Sequence, residues 1–117
     1  MTIHMKTVLY PVQDVDKAKA TFAALFEAEP HVDSPYYVGF SVDGSEIGLV
    51  PNGRSQGMDG PEPYYDVADI TATLAALSAT GAQIVQEPKD VGAGLLVAKV
   101  RDTEGNIIGV KQVPTSA

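Results

Sequence analysis

Val12-Gln13-Asp14-Val15 and Val67-Ala68-Asp69-Ile70 each stand where an apolar strand-like run gives way to a helical one, and they are 55 residues apart. Each half then closes on a similar phrase, Ile47-Gly48-Leu49 and Ile108-Gly109-Val110, 61 residues apart. The chain is therefore written twice, with a short insertion in the second copy. A long repeat present only twice points to two similar modules packed as a pseudo-twofold pair rather than to an open solenoid. Function is then to be sought in the cleft that such a pair encloses.

Working outward from the two phrases gives the elements. Met5 to Val12 reads as a strand, with Val8, Tyr10 and Val12 on one face and Thr7, Leu9 and Pro11 on the other. Asp14 is a suitable N-cap, and Val15 to Ala28 carries Ala18, Phe22, Leu25 and Phe26 at helical spacing before Pro30. His31-Val32, Tyr36 to Val42 and Glu46 to Val50 follow as extended pieces, with a hairpin turn at Asp43-Gly44. The stretch from Pro51 to Pro61, PNGRSQGMDGP, reads as a linker or a flap over the cleft. In the second copy Tyr64 to Val67 is a strand, Asp69 caps a helix through Ala79, and Gly81 ends it. Ala82 to Gln86, Leu95 to Arg101 and Ile107 to Gln112 complete the strands, with a loop at Lys89 to Gly94. The expected fold is α+β: two βαβββ modules, about 5–51 and 62–113, forming one curled mixed sheet around a cavity.

Composition narrows the function. A chain of 117 residues can bury a real core as a single domain, and its 44% hydrophobic content is that of an ordinary soluble protein. No apolar run approaches the ~20 residues of a membrane span, and the first residues lack a signal peptide's apolar region. Cytoplasm is the expected location. Cysteine is absent, which removes disulfides, thiolate nucleophiles and cysteine-ligated metals. The net charge is −7, with eight Lys and Arg spread thinly, so neither nucleic acid nor an anionic membrane is an expected partner.

With these elements in order, the chain resembles the vicinal oxygen chelate superfamily, the glyoxalase, bleomycin-resistance and extradiol-dioxygenase group. Val67-Ala68-Asp69-Ile70, Ala79-Thr80-Gly81-Ala82, Glu87-Pro88 and Asp102-Thr103-Glu104-Gly105-Asn106 carry the likeness in the second half. Val12-Gln13-Asp14-Val15-Asp16-Lys17-Ala18 with Phe22 carries it in the first. The turn usual in the family, Asp-Pro-Asp-Gly-Asn, is altered here at Thr103 and Glu104. The resemblance implies paired βαβββ modules, a U-shaped cavity and a homodimer. It also implies four metal-ligand positions, which fall on Thr7, Gly48, Glu62 and Gly109.

Only one of those four is a carboxylate, whereas a catalytic ion needs about three protein ligands. Glu46, two residues before Gly48 and on the same strand face, is the best compensating ligand. No bound metal or other cofactor is expected. His4 and His31 read as surface histidines. Gly92-Ala93-Gly94 lacks a strand before it and a helix after it, so it reads as a turn and not a phosphate loop.

Alternation along the strands predicts a ligand-binding face made of Thr7, Leu9, Tyr37, Glu46, Gly48, Glu62, Tyr64, Asp66, Gly109 and Lys111. The two glycines are expected to leave room for a guest. Glu62 is the best candidate catalytic acid or base if the walls around it are apolar, with Lys111 as a possible ion partner. The expected function is metal-free binding of an aromatic or amphipathic small molecule. The alternative is a lyase, isomerase or dioxygenase-type enzyme, using a divalent metal at a degenerate site or Glu62 as acid or base.

Overall fold

The computed structural model describes residues 4–114. It is α+β, and the chain divides into two compact units, Lys6–Glu62 and a second from Pro63 onward that also takes in His4 and Met5. Each unit carries the order strand, helix, three strands.

In module one the elements are β1 (His4–Pro11), α1 (Val15–Phe26), β2 (Val32–Asp33), β3 (Val38–Val42) and β4 (Ser45–Val50). The strands lie in the order β2-β3-β4-β1, with β1 and β4 parallel and the other pairs antiparallel. Asp14 caps α1 as expected, its carboxylate accepting from the Lys17 amide at 3.1 Å. The helix stops earlier than expected, at Phe26, where Glu27 turns left-handed (φ 52) and its N–H reaches the Ala23 carbonyl. A local C-cap closes this helix before Pro30 is reached.

One face of the sheet packs on α1. Val38, Phe40 and Leu49 are fully buried against Tyr10, Ala18, Phe22 and Phe26. The rings run in a chain, Tyr10 to Phe22 at 5.0 Å, Phe22 to Phe26 at 5.8 Å and Phe26 edge-on to Phe40 at 5.5 Å. Leu25 does not join this stripe. It is 67% exposed, because at about 100° per residue it falls to the side of the line through Phe22 and Phe26. Asp43 (φ 49) and Gly44 (φ 84) form the expected hairpin turn, both in the left-handed region that matches strand twist.

The Pro51 to Pro61 stretch is not an open linker. It folds into a 3-10 turn at Arg54–Gln56, and the Met58 amide returns to the Gly53 carbonyl at 2.9 Å. Met58 is buried, with its sulfur close against Gly53. Backbone bonds from Gln56 to Asn52 and Gly53, and the Arg54 guanidinium donating to the Asp59 carbonyl, close the turn around it.

Module two comprises β5 (Glu62–Asp66), α2 (Ile70–Ala79), β6 (Gln83–Asp90), β7 (Leu96–Arg101) and β8 (Ile107–Gln112), in the sheet order β5-β8-β7-β6. Asp69 caps α2 by accepting from the Ala72 amide at 3.0 Å, and Gly81 (φ 102) follows the helix end. The core is aliphatic: Val67, Ile70, Leu74, Ala98, Val100 and Val110. Strand β6 runs four residues further than expected, through Glu87-Pro88 to Asp90, so the loop begins only at Val91. Register shifts on either side of Gln86 absorb the proline, which an edge strand with bulges tolerates. Gly92-Ala93-Gly94 is a turn of three positive φ values, with the Gly92 amide donating to Asp90. Among the described residues no helix is long and apolar enough to cross a membrane.

Candidate functional site

The face of each sheet turned away from its helix carries the expected site residues. In module one the parallel register sets Thr7 opposite Glu46 and Leu9 opposite Gly48, while the β3–β4 hairpin sets Gly39 opposite Gly48 and Ser41 opposite Glu46. Two glycines thus meet on adjacent strands. Tyr37, two residues before Gly39, projects to the same face, whereas Tyr36 is 76% exposed.

The Tyr37 ring lies across both glycines. A methyl group added at Gly48 would sit 2.7 Å from Tyr37 Cε1 and 2.7 Å from Leu9 Cδ2, and one added at Gly39 would sit 2.9 Å from Tyr37 Cε2. The expected vacancy at Gly48 is therefore filled: glycine leaves bare backbone, and a flat ring settles onto it. The Tyr37 hydroxyl donates to Glu46 Oε2 at 2.5 Å, and Glu46 Oε1 lies 2.6 Å from His31 Nε2. This contact is an ion pair whenever the imidazole carries its second proton. Ser34 fixes the Tyr37 backbone, its amide donating to the Tyr37 carbonyl at 3.0 Å and its hydroxyl accepting from the Tyr37 amide at 3.1 Å.

Burial pushes the Tyr37 phenol pKa above its ordinary value of 10.0, and the hydrogen bond and charge of Glu46 push it further. The folded state thus holds this proton more tightly than the unfolded chain. Its stabilising contribution is complete below pH 10 and is lost as pH rises beyond that. Tyr37→Phe is expected to flatten the alkaline loss of stability measured by urea denaturation between pH 9 and 11. An unchanged slope would remove Tyr37 from that limb.

In module two Tyr64 stands opposite Gly109 and Asp66 opposite Lys111. The Tyr64 ring covers Gly109 so closely that an added methyl group would fall 2.6 Å from Cε2 and 2.7 Å from Cγ. Tyr64 is only 7% exposed, which makes it a packed residue of this face rather than an open contact surface. Tyr65 alternates to the helix side. Glu62 is 4% exposed. Lys111 Nζ stands 3.6 Å from Asp66 Oδ1, beyond hydrogen-bond reach, and that oxygen is buried with no hydrogen-bond partner among the described residues.

Comparison with known proteins fits this order of elements. Residues 4–110 match the family model of the Glyoxalase/Bleomycin resistance protein/Dioxygenase superfamily. The chain belongs to that superfamily. A superfamily member from Vibrio splendidus 12B01 is 18% identical, with a TM-score of 0.73 over 96% of this chain and 100% of that one. A hypothetical protein from Bacillus halodurans C-125 is 14% identical, with a TM-score of 0.76 over 100% and 99%. A methylmalonyl-CoA epimerase variant from Streptomyces coelicolor, in complex with 2-nitronate-propionyl-CoA, is 13% identical with a TM-score of 0.72 over 96% and 95%. At these identities the likeness is one of fold. No curated protein matches.

Within the superfamily frame, the four positions where the resemblance implies metal ligands hold Thr7, Gly48, Glu62 and Gly109, all buried. Two have no side chain, and tyrosine rings lie over both. Glu46, the expected compensating ligand, already has its two oxygens engaged by Tyr37 and His31. Among the described residues no three His, Asp or Glu side chains converge. Thr7 and Glu62 are the side-chain donors these four positions offer, whereas a catalytic ion takes about three protein ligands.

His31 is half-exposed, as a surface histidine would be, yet it is tied to the site through Glu46. No local spacing signals this link. It arises because β2 brings the His31 amide to the Gly39 carbonyl at 2.9 Å, beside the strand that faces Glu46. His4 is exposed at the start of β1.

Proposed function

We infer that this chain is a small-molecule-binding member of its superfamily that works without a metal and performs no chemistry on its guest. The observation that carries this reading is the tyrosine covering each glycine where a ligand to an ion would stand. The helix-distal face of module one suits an aromatic or amphipathic guest, with Leu9 and Tyr37 as apolar surface and Glu46 with His31 as polar groups to orient it. The protein acts as a cytoplasmic homodimer with no nucleic-acid or membrane partner. The charge of −7 and the superfamily resemblance support this, and light scattering on the purified chain checks the dimer.

Thermal-shift titration with aromatic compounds, run with and without a chelator, tests the binding. A guest present at a hundredfold excess over its Kd should stabilise the fold by about 2.7 kcal/mol, and the chelator should change nothing. Stoichiometric nickel, zinc, iron or manganese in the purified protein, together with metal-dependent turnover, would overturn the reading.

One observation favours an enzyme instead. Glu62 is a carboxyl only 4% exposed on the leading strand of module two, and a shielded carboxyl can serve as a general acid or base. In that case Glu62→Gln abolishes turnover while leaving guest binding intact. If the variant turns over as the parent does, Glu62 has no catalytic part.

A further inference from the structure

Tyr37 and Tyr64 do the same packing task in very different settings. Tyr64 is sealed, at 7% exposed, and stands directly opposite its glycine on the neighbouring strand. Tyr37 is only half-buried and reaches its glycines from the residue just before β3, next in sequence to a Tyr36 that is 76% exposed. Gly48 already has a cross-strand neighbour in Leu9, the counterpart in the repeat of Tyr64. The Tyr37 ring is thus an addition to the module-one sheet, lying in a slot whose floor is glycine backbone, whose wall is Leu9 and whose end is the Glu46 carboxylate.

We propose that Tyr37 is a built-in stand-in for the guest. A flat aromatic molecule with a hydroxyl donor displaces the ring, lies on Gly39 and Gly48, and donates to Glu46 Oε2. The inference rests on the binding function above and names the chemical class of the guest as a neutral phenol.

Three features make the exchange workable. The Tyr37 backbone is pinned on both sides by Ser34, so the ring leaves by side-chain rotation alone and no strand pairing breaks. Glu46 Oε1 stays held by His31 at 2.6 Å, which keeps the carboxylate aimed at the slot after Tyr37 has left. The ring is itself only half-buried where it lies, so solvent borders the slot on its open side. Selectivity follows from the acceptor. Glu46 offers oxygen lone pairs and negative charge, so a phenol is accepted, a hydrocarbon loses the hydrogen bond, and an aromatic carboxylate is repelled.

Calorimetric titration with p-cresol, toluene and benzoate tests this on the parent chain, Tyr37→Ala and Tyr37→Phe. In the parent, Tyr37 competes with the guest, so apparent affinity is reduced by the fraction of time the slot is open. p-Cresol should bind the parent, bind Tyr37→Phe more tightly, and bind Tyr37→Ala at least about tenfold more tightly. Toluene should bind Tyr37→Ala more weakly than p-cresol does, and benzoate should not bind.

Binding of p-cresol by Tyr37→Ala but not by the parent would make the ring a fixed plug and overturn the proposal. Equal affinity in all three chains would also overturn it, by placing the phenol elsewhere, though the binding function itself would survive. Should Tyr37→Ala fail to fold, Tyr37→Phe decides: affinity no higher than the parent's sinks the exchange.

Discussion

Gly109→Ala is expected to destabilise the chain by about 2–3 kcal/mol, the cost of forcing one methyl group into a space already filled. A protein of this size would then melt roughly 10 °C lower. The added carbon would fall 2.6 Å from Tyr64 Cε2, and Tyr64, at 7% exposed, has no free volume to retreat into. The backbone is not the difficulty, since Gly109 has an ordinary negative φ within β8. A double-mutant cycle isolates the cause. In a Tyr64→Ala background the same substitution should be nearly free, leaving a coupling energy of about 2 kcal/mol. Gly60→Ala is the control, because nothing lies within 4 Å of its added carbon and its expected change is under about 0.5 kcal/mol. A Gly109→Ala protein that melts with its parent would mean the tyrosine ring is not where the packing argument requires it.

Phe40→Ala should cost more, about 3–5 kcal/mol, or a melting point lower by roughly 12–20 °C. Phe40 is fully buried and ends the aromatic chain that joins the β3–β4 hairpin to α1. Its removal leaves a hole bordered by Phe26 and Leu49 that the rigid sheet cannot close. Denaturant unfolding reads the loss directly. A loss below about 1 kcal/mol would show that this cluster is not the core of module one. The contrast with Leu25→Ala is instructive, because Leu25 is equally apolar in sequence but 67% exposed, and its truncation should be nearly silent.

These residues mark how far the sequence could be read. Helix starts were legible, because a cap is a local device: Asp14 and Asp69 each bond an amide three residues on. Strand faces were legible too, since alternation set Tyr10 and Val12 on the side of β1 that packs in the core, away from Thr7 and Leu9. Boundaries set by pairing were not. Strand β6 extends to Asp90 because β7 is there to accept it, and no residue of Gln86-Glu87-Pro88 announces a bulge. The Pro51 to Pro61 stretch reads as a linker or a flap because its composition is polar, yet it folds into a hydrogen-bonded turn with Met58 buried.

The site shows the same division. The pairs Leu9 with Gly48 and Tyr64 with Gly109 preserve the repeat at the level of register, so the doubled sequence did determine the two βαβββ modules and which side chains share a face. It did so because caps, turns and alternation act within a few residues. What fills the space over each glycine was decided only on folding. Glycine carries no side chain to name its neighbour, and the ring that covers Gly48 comes from eleven residues away, just ahead of an antiparallel strand. The bond from His31 to Glu46 spans fifteen. Such meetings depend on how strands pair and where side chains lean, which are properties of the assembled sheet and not of any short stretch of chain.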